Sequence, residues 1–474
     1  MHLRRKIDWH IMPLMCTHSI TFMDKTTLGQ AAVLGILEDA HLSANQFNWL
    51  GTIFYFSYFS FQYPQNLALQ RFPVGKWMSF NITLWAIILC CHAACKSFGA
   101  LFAVRFLLGI CEGAITPGFM IVTSMFYTRA EQTLRVGYWF LMNGFAVIIL
   151  GFISFGVLHT HTPHFMPWQW LMMITGIITL VTAGLFWQVF PCIVSQFFFP
   201  DSPASAKFLN KNERAQAIQR ILVNQTGIEN KHFKFPQFLE TVKDPRTWLL
   251  AFIAGASNVV NSLTNQRQLI VSQFGFTDFQ TTLLGCVDGV VEILTIWLGV
   301  KLASTRNIGR AHACVLMYIP AIVGTILVST LPFTDKVGLL FSYWICIFAI
   351  APFTIFLGWV TSITSGHTKR ITTNAIVLCG YATGNAVSQF MWKAQYQPRN
   401  HIPWAVITTT NTSSALALLL LRYLLVADNT RRDREARDAE YDLVDVQHDG
   451  TTFEVDRAFL DLTDKENHEF RYVY

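Results

Sequence analysis

Twelve predominantly apolar runs recur along the chain, at roughly 9–29, 47–69, 78–98, 100–126, 136–158, 170–190, 247–272, 281–303, 311–331, 338–362, 372–392 and 403–427. Each has the length of about 20 residues that a helix needs to cross the hydrocarbon core. A backbone in lipid must satisfy its own hydrogen bonds, so runs of this kind read as helices, and the expected class is an all-α membrane protein with twelve transmembrane helices. Composition agrees: only 14% of the 474 residues are charged and 52% are hydrophobic, against about 25% charged in a soluble domain. The ten cysteines are scattered, and the densest group, Cys90, Cys91 and Cys95, has no His or acidic neighbours. They read as small hydrophobes, and no metal site is expected. The amino terminus opens on Arg4, Arg5 and Lys6, and the next helix carries Asp24 and Lys25 with no small-residue cleavage site, so no cleavable signal is expected. No Walker loop, HExxH or nucleophile elbow occurs, and no His/Asp cluster sits on one helix, so neither an enzyme, a cofactor nor a nucleic-acid partner is expected.

Short loops set the orientation. With the amino terminus inside, the inner segments hold Arg4, Arg5, Lys6, Arg71, Lys76, Arg129, Arg135, Lys301, Arg306, Arg310, Lys369 and Arg370, and the outer loops hold only Lys96, Lys336, Lys393 and Arg399. The positive-inside rule then places both termini in the cytoplasm. The segment 200–246 separates six spans from six, giving expected units at 1–199, 200–246, 247–427 and 428–474. Within that segment Asn210 and Glu213 resemble a capping box, and Ile218, Ile221 and Leu222 make a one-sided stripe, which predicts a helix on the inner membrane surface. The tail from Asp428 carries fourteen acidic and seven basic residues and reads as solvated and partly disordered. Without it the membrane body is near +13, a positive inner rim suited to anionic lipid heads. The outer string His159–His164 and the sequon at Asn224 are discounted as exposed polar loop and cytoplasmic sequence. Pro64, Pro117, Pro320 and Pro352 lie within spans and are expected to bend them.

Charges within the apolar runs point to function. A charge in a lipid-facing helix costs several kcal/mol and survives where it faces a bundle interior or a wet cavity with a partner. Arg105 and Glu112 sit seven residues apart, nearly on one face of the fourth span. Asp24 and Arg105 lie at matching depth from the outer side, so they either exchange partners during a cycle or form a permanent ion pair. Lys25 points about 100° from Asp24 on a helix, so one faces a cavity and the other a neighbouring helix. Glu112, near mid-bilayer, is either a protonatable group or a neutral Glu bonded to a neighbour. Arg267 lies at a depth similar to Asp288, and Asp288 and Glu292 share one face of the eighth span; these charges either compensate each other or determine specificity. The candidate substrate contacts are Lys25, Arg105, Tyr55, Gln62, Asn143, Asn265, Arg267, Asn385 and Gln389, and the candidate proton carriers are Asp24, Glu112, Asp288 and Glu292. Each neutral residue in this set is equally a candidate for a helix–helix hydrogen bond.

Six spans, a central loop and six more spans make the two-half plan of the major facilitator transporters. The strings QRFPVGKW (70–77), RFLLGICEGAITPGF (105–119), FYTRAEQTLRVGYWF (126–140), PDSPASAKFL (200–209), DPRTWLL (244–250), EILTIWLGVKLAS (292–304) and GHTKRITTNAI (366–376) resemble, in order, the fungal allantoate permease family. That family belongs to the anion:cation symporters of the superfamily, and the resemblance covers about residues 4–430. It implies proton-coupled uptake of a small organic anion (allantoate, ureidosuccinate, nicotinate or a related carboxylate) across the plasma membrane, in a family whose members also take small peptides; a monomer is expected. Asn66 and Gln70 depart from the superfamily's usual Gly and Asp in the loop after the second span. A stretch near Phe190–Gln196 looks inserted, and Arg267 and Asp288 depart from the family string. The alternatives are an uncoupled facilitator or exporter, or a non-transporting sensor, on the same fold.

Overall fold

The structure, a computed structural model, describes residues 2–16, 18–160, 162, 165–186, 203, 206, 208–222, 233–305, 307–436, 443–448, 451–456, 461–467 and 469–474. The first span is built from α1 (His2–Cys16) and α2 (His18–Val33). After the short α3 (Ile36–Asp39), α4 (Ala44–Arg71) and α5 (Val74–His92) are the second and third. The fourth is divided into α6 (Phe98–Glu112) and α7 (Ile115–Phe126); α8 (Arg129–Leu158) and α9 (Pro167–Phe186) follow. Then come α10 (Lys211–Leu222) and α11 (Phe235–Lys243) in the central segment. The seventh span is α12 (Pro245–Asn258) and α13 (Leu263–Gln273), joined by a 3-10 turn at Val259–Ser262. The eighth and ninth are α14 (Asp278–Ser304) and α15 (Gly309–Thr330). The tenth is α16 (Lys336–Cys346) and α17 (Ile350–Ile363), joined at Ile347–Ala349. The last two are α18 (His367–Ser388) and α19 (His401–Ala436). The strands among the described residues are an antiparallel pair in the tail, β1 (Leu443–His448) and β2 (Thr451–Asp456).

Two of the divided spans follow from proline chemistry. Pro117 is the third residue of α7 and Pro352 the third of α17. Proline donates no backbone hydrogen bond, so it fits a first turn, where that donor is unused anyway. The helices restart just ahead of both residues. Pro64 and Pro320 behave otherwise: α4 and α15 continue through them.

The first six spans meet the last six chiefly along two seams, α8 against α14 and α4 against α18, with α17 also against α8 and α13 against α2. On the first seam Gly144 and Gly289 face each other: a Cβ on Gly144 would lie 2.5 Å from the Gly289 carbonyl oxygen, and one on Gly289 would collide with the Gly144 carbonyl. Small residues let the backbones approach this closely. Gly289→Val is therefore expected to cost about 1–3 kcal/mol or more through overpacking. Thermal unfolding of the purified protein in detergent measures it.

The end of the bundle that carries α10 and α11 is called the loop end. There Lys6 pairs with Glu213 at 2.6 Å, Arg135 with Asp8 at 2.8 Å, and Arg220 with Glu131. The expected capping at Asn210 takes the form of its backbone N–H donating to the Glu213 carboxylate at 2.8 Å. Phe190–Gln196, His161, His164 and Asn224 lie outside the described residues.

The tail departs from the solvated expectation. Residues 461–467 and 469–474 pack onto the loop end with Phe470 fully buried and Tyr472 3% exposed. Arg432, near the end of α19, donates to the carbonyls of Asp464 at 2.7 Å, Asn467 at 3.1 Å and Phe470 at 2.7 Å. Thr463 and Glu466 cap the turn between them reciprocally. Asp464 reaches Lys369 at 2.7 Å, and Lys465 reaches Asp244 at 3.0 Å. Burial pushes the Asp244 carboxyl up, but Arg246, Lys465 and Lys369 outweigh it and hold it below the usual carboxylate range.

Candidate functional site

Between the seams lies a cavity of two joined lobes, mostly apolar but holding several charged side chains. One lobe is lined by Thr26 and Gln30 of α2, Arg267 and Gln268 of α13, Asp288 of α14 and Tyr343 of α16. The other is lined by Lys25 of α2, Tyr58 of α4, Thr116 of α7, Asn143 of α8, Asn258 of α12 and Tyr381 of α18. Phe22, Val260, Asn261, Glu292 and Ile350 border both. The interruptions at 259–262 and 347–349 face this space, where irregular backbone is tolerated because it lines a cavity and not lipid.

The helical offset between Asp24 and Lys25 sends the two to different places. Asp24 is fully buried and turns to α9, where Thr179 Oγ1 donates to its Oδ2 at 2.9 Å. Lys25 faces the cavity, pairs with Glu112, sits 3.5 Å from the Tyr381 hydroxyl and 5.7 Å above that ring's centre. Glu112 is the last residue of α6, so the lysine ammonium lies at the negative end of a helix dipole as well as against a carboxylate. Glu112 Oε2 makes no hydrogen bond.

Arg105 is buried near Asp24 and Tyr55 and acts on both electrostatically. It closes no ion pair with Asp24, and its Nη2 lacks a hydrogen-bond partner. The depth match between Asp24 and Arg105 thus brings them near each other, while the pair that forms at the cavity is Lys25–Glu112.

In the other lobe Arg267 Nε approaches Asp288 Oδ2 at 2.5 Å, and the Trp344 indole donates to Asp288 Oδ1 at 2.7 Å. The guanidinium lies against Gly285, where any Cβ would collide with it. Glu292, one turn on, is 5% exposed, and its Oε1 has no hydrogen-bond partner. Each single charge reversal, Arg267→Asp or Asp288→Arg, is expected to cost about 3–5 kcal/mol by leaving like charges buried together. The swapped double variant is expected to recover folding, read as thermal stability. Recovered transport in it marks a structural pair, and lost transport marks Arg267 as a substrate contact.

Contacts across the seams close the cavity at both ends. Away from the loop end, Gln266 Nε2 donates to Asn48 Oδ1 at 3.0 Å and Asn48 Nδ2 to the Trp392 carbonyl at 3.2 Å, while Asn265 Nδ2 donates to Gln389 Oε1 at 3.4 Å within the last six spans. At the loop end Thr361 Oγ1 donates to Gln132 Oε1 at 3.1 Å and Arg370 Nη1 to Ser124 Oγ at 3.3 Å.

Of the residues expected from sequence, Lys25, Asn143, Arg267, Asp288 and Glu292 line the cavity, and Glu112 touches it through Lys25. Asn265 and Gln389 bond each other within the last six spans. Asp24, Arg105, Gln62 and Asn385 pack behind, with Asn385 donating to the Tyr381 carbonyl of its own helix. Tyr55 lies edge-on to Tyr381, 6.1 Å between ring centres. Sequence reasoning missed Tyr381, Asn261, Asn48 and Gln266; tyrosine and amide side chains in otherwise apolar spans were the available signal.

Twelve spans around an internal cavity that holds paired charges are the architecture of a membrane carrier. The chain belongs to the Major Facilitator Superfamily, whose pattern matches residues 14–424. It is 34% identical over 478 residues to the thiamine pathway transporter THI73 of Saccharomyces cerevisiae, covering 99% of this chain and 86% of that one. It is 30% identical over 489 residues to the allantoate permease of the same yeast, with the same coverage. It is 29% identical over 496 residues to that yeast's high affinity cysteine transporter, covering 99% and 90%. Among solved structures, the proton:xylose symporter XylE superposes with a TM-score of 0.66 at 12% identity, covering 86% of this chain and 94% of that one, a likeness of fold.

Proposed function

We propose that the chain is a proton-coupled importer of a small organic anion bearing a carboxylate, working by alternating access as a monomer in the plasma membrane with both termini in the cytoplasm. In this reading residues 1–199 and 247–427 are two halves that rock about the cavity, and 200–246 joins them in the cytoplasm. The observation that carries it is an odd carboxylate. Lys25 and Arg267 each have an acidic partner, Glu112 and Asp288, and Glu292 faces the same cavity with no ion pair among the described residues. With all five ionised the cavity holds one excess negative charge. An incoming carboxylate adds a second, which a buried site disfavours unless a proton accompanies it. Lys25 and Arg267, one in each lobe, are the cations such an anion meets. The 30% identity to allantoate permease supports a substrate of this class.

The test is uptake into vesicles holding the purified protein, screened with allantoate, ureidosuccinate and nicotinate. An inside-alkaline pH gradient is expected to drive accumulation, and a protonophore to abolish it. Equilibration without accumulation overturns coupling and leaves a facilitator; no flux of any small carboxylate overturns the substrate class.

A further inference from the structure

The seated tail lies beside the contacts that close the loop end. The Trp359 indole of α17 donates to the Val473 carbonyl at 2.7 Å; Trp359 stands between Gly358, packed on Thr133, and Thr361, bonded to Gln132. Lys369 of α18 holds Asp464, and its neighbour Arg370 reaches Ser124. Between these helices the Ser365 hydroxyl donates to the Leu462 carbonyl at 2.9 Å, and the His367 backbone N–H to Asp461 Oδ1 at 2.7 Å. The segment also holds α12, through Arg246 stacked 5.2 Å from the Tyr472 ring centre, and α19, where Asn429 bonds both the N–H and the carbonyl of Tyr472. Every one of these anchors lies on the last six spans or the segment leading into them.

We propose that the loop end of α12, α17, α18 and α19 is a docking site for the chain's own residues 461–474, and that their seating keeps the loop end closed. The geometry assigns this role because the segment pins four helix ends to one another and lies next to the closing residues without bridging the seam itself. With it seated, α17 and α18 present Gly358, Thr361 and Arg370 in a fixed arrangement to α7 and α8. With it released, Trp359 and the 364–367 connection lose their partners, and each helix end can move separately. The inference does not depend on which substrate is carried.

Hydrogen exchange of the purified carrier in nanodiscs tests this. Three proteins are compared: the full chain, the chain ended after residue 460, and the full chain with Tyr472→Ala. Both variants are expected to exchange about tenfold faster over 356–372, a local opening, and faster over 128–138 across the seam, with other spans unchanged. A synthetic peptide of residues 461–474 added to the shortened chain is expected to restore protection. Unchanged exchange at 356–372 in both variants overturns the proposal. So does loss of protection throughout the bundle in both, which makes the segment a general folding element. So does a folded shortened chain that the peptide leaves unprotected.

Discussion

Lys25→Met is expected to destabilise the carrier by about 3–5 kcal/mol and to abolish uptake, because it leaves the Glu112 carboxylate buried without its cation. The side chains of Lys25 and Glu112 are only 11% and 3% exposed, so water cannot replace the lost partner. Methionine keeps the length and apolar stem of lysine, so the loss is one of charge and not of volume. Neutralising both partners separates stability from transport. In the double variant Lys25→Met, Glu112→Gln no charge is left stranded, and replacing a buried pair by neutral groups is often neutral for stability. Thermal unfolding is therefore expected to return close to the starting value, while uptake stays lost because the cation that would meet a substrate carboxylate is gone. Near-normal uptake by the double variant would make Lys25–Glu112 a structural pair and leave Arg267 as the one cation of the site.

The twelve spans were legible because lipid imposes a length and a composition that each run displays on its own. Their interruptions were less so. Pro117 and Pro352 suggested bends, but nothing local distinguishes them from Pro64, through which α4 continues. The outcome depends on whether neighbouring helices leave room for a changed backbone, which is a tertiary property. The turn at Val259–Ser262 has no proline at all. The candidate site was legible as a set of misplaced charges, and the 100° offset correctly required Asp24 and Lys25 to part. It could not say which of them turns to α9, since depth constrains height along the membrane and not azimuth. The tail was misread for a related reason. Its charge count signals solvation, yet Phe470 and Tyr472 are buried because Arg432 and Lys369, both far away in sequence, gather the carbonyls and carboxylate around them. A low density of apolar residues does not reveal a segment stabilised by such partners.

Glu292→Gln is expected to remove pH-driven accumulation while leaving exchange of internal for external substrate intact. The substitution keeps the shape of the side chain and removes the cavity carboxylate that forms no ion pair among the described residues. If that carboxylate must take up a proton before an anion can share the cavity, a permanently neutral glutamine mimics the protonated state, and substrate enters without a proton. Each pH unit across the membrane is worth about 1.4 kcal/mol per proton, so a carrier moving one proton with each anion can hold about a tenfold gradient per unit. In the variant the ratio is expected to fall to about one, with counterflow unchanged. Glu112→Gln provides the contrast, because it strands Lys25 as a buried cation and is expected to impair stability and counterflow together. If instead Glu292→Gln vesicles still accumulate substrate against its gradient when the interior is alkaline, the proton travels on another group. Glu112, whose Oε2 is also without a hydrogen bond, is then the next carboxylate to neutralise, in a background where Lys25 is already methionine.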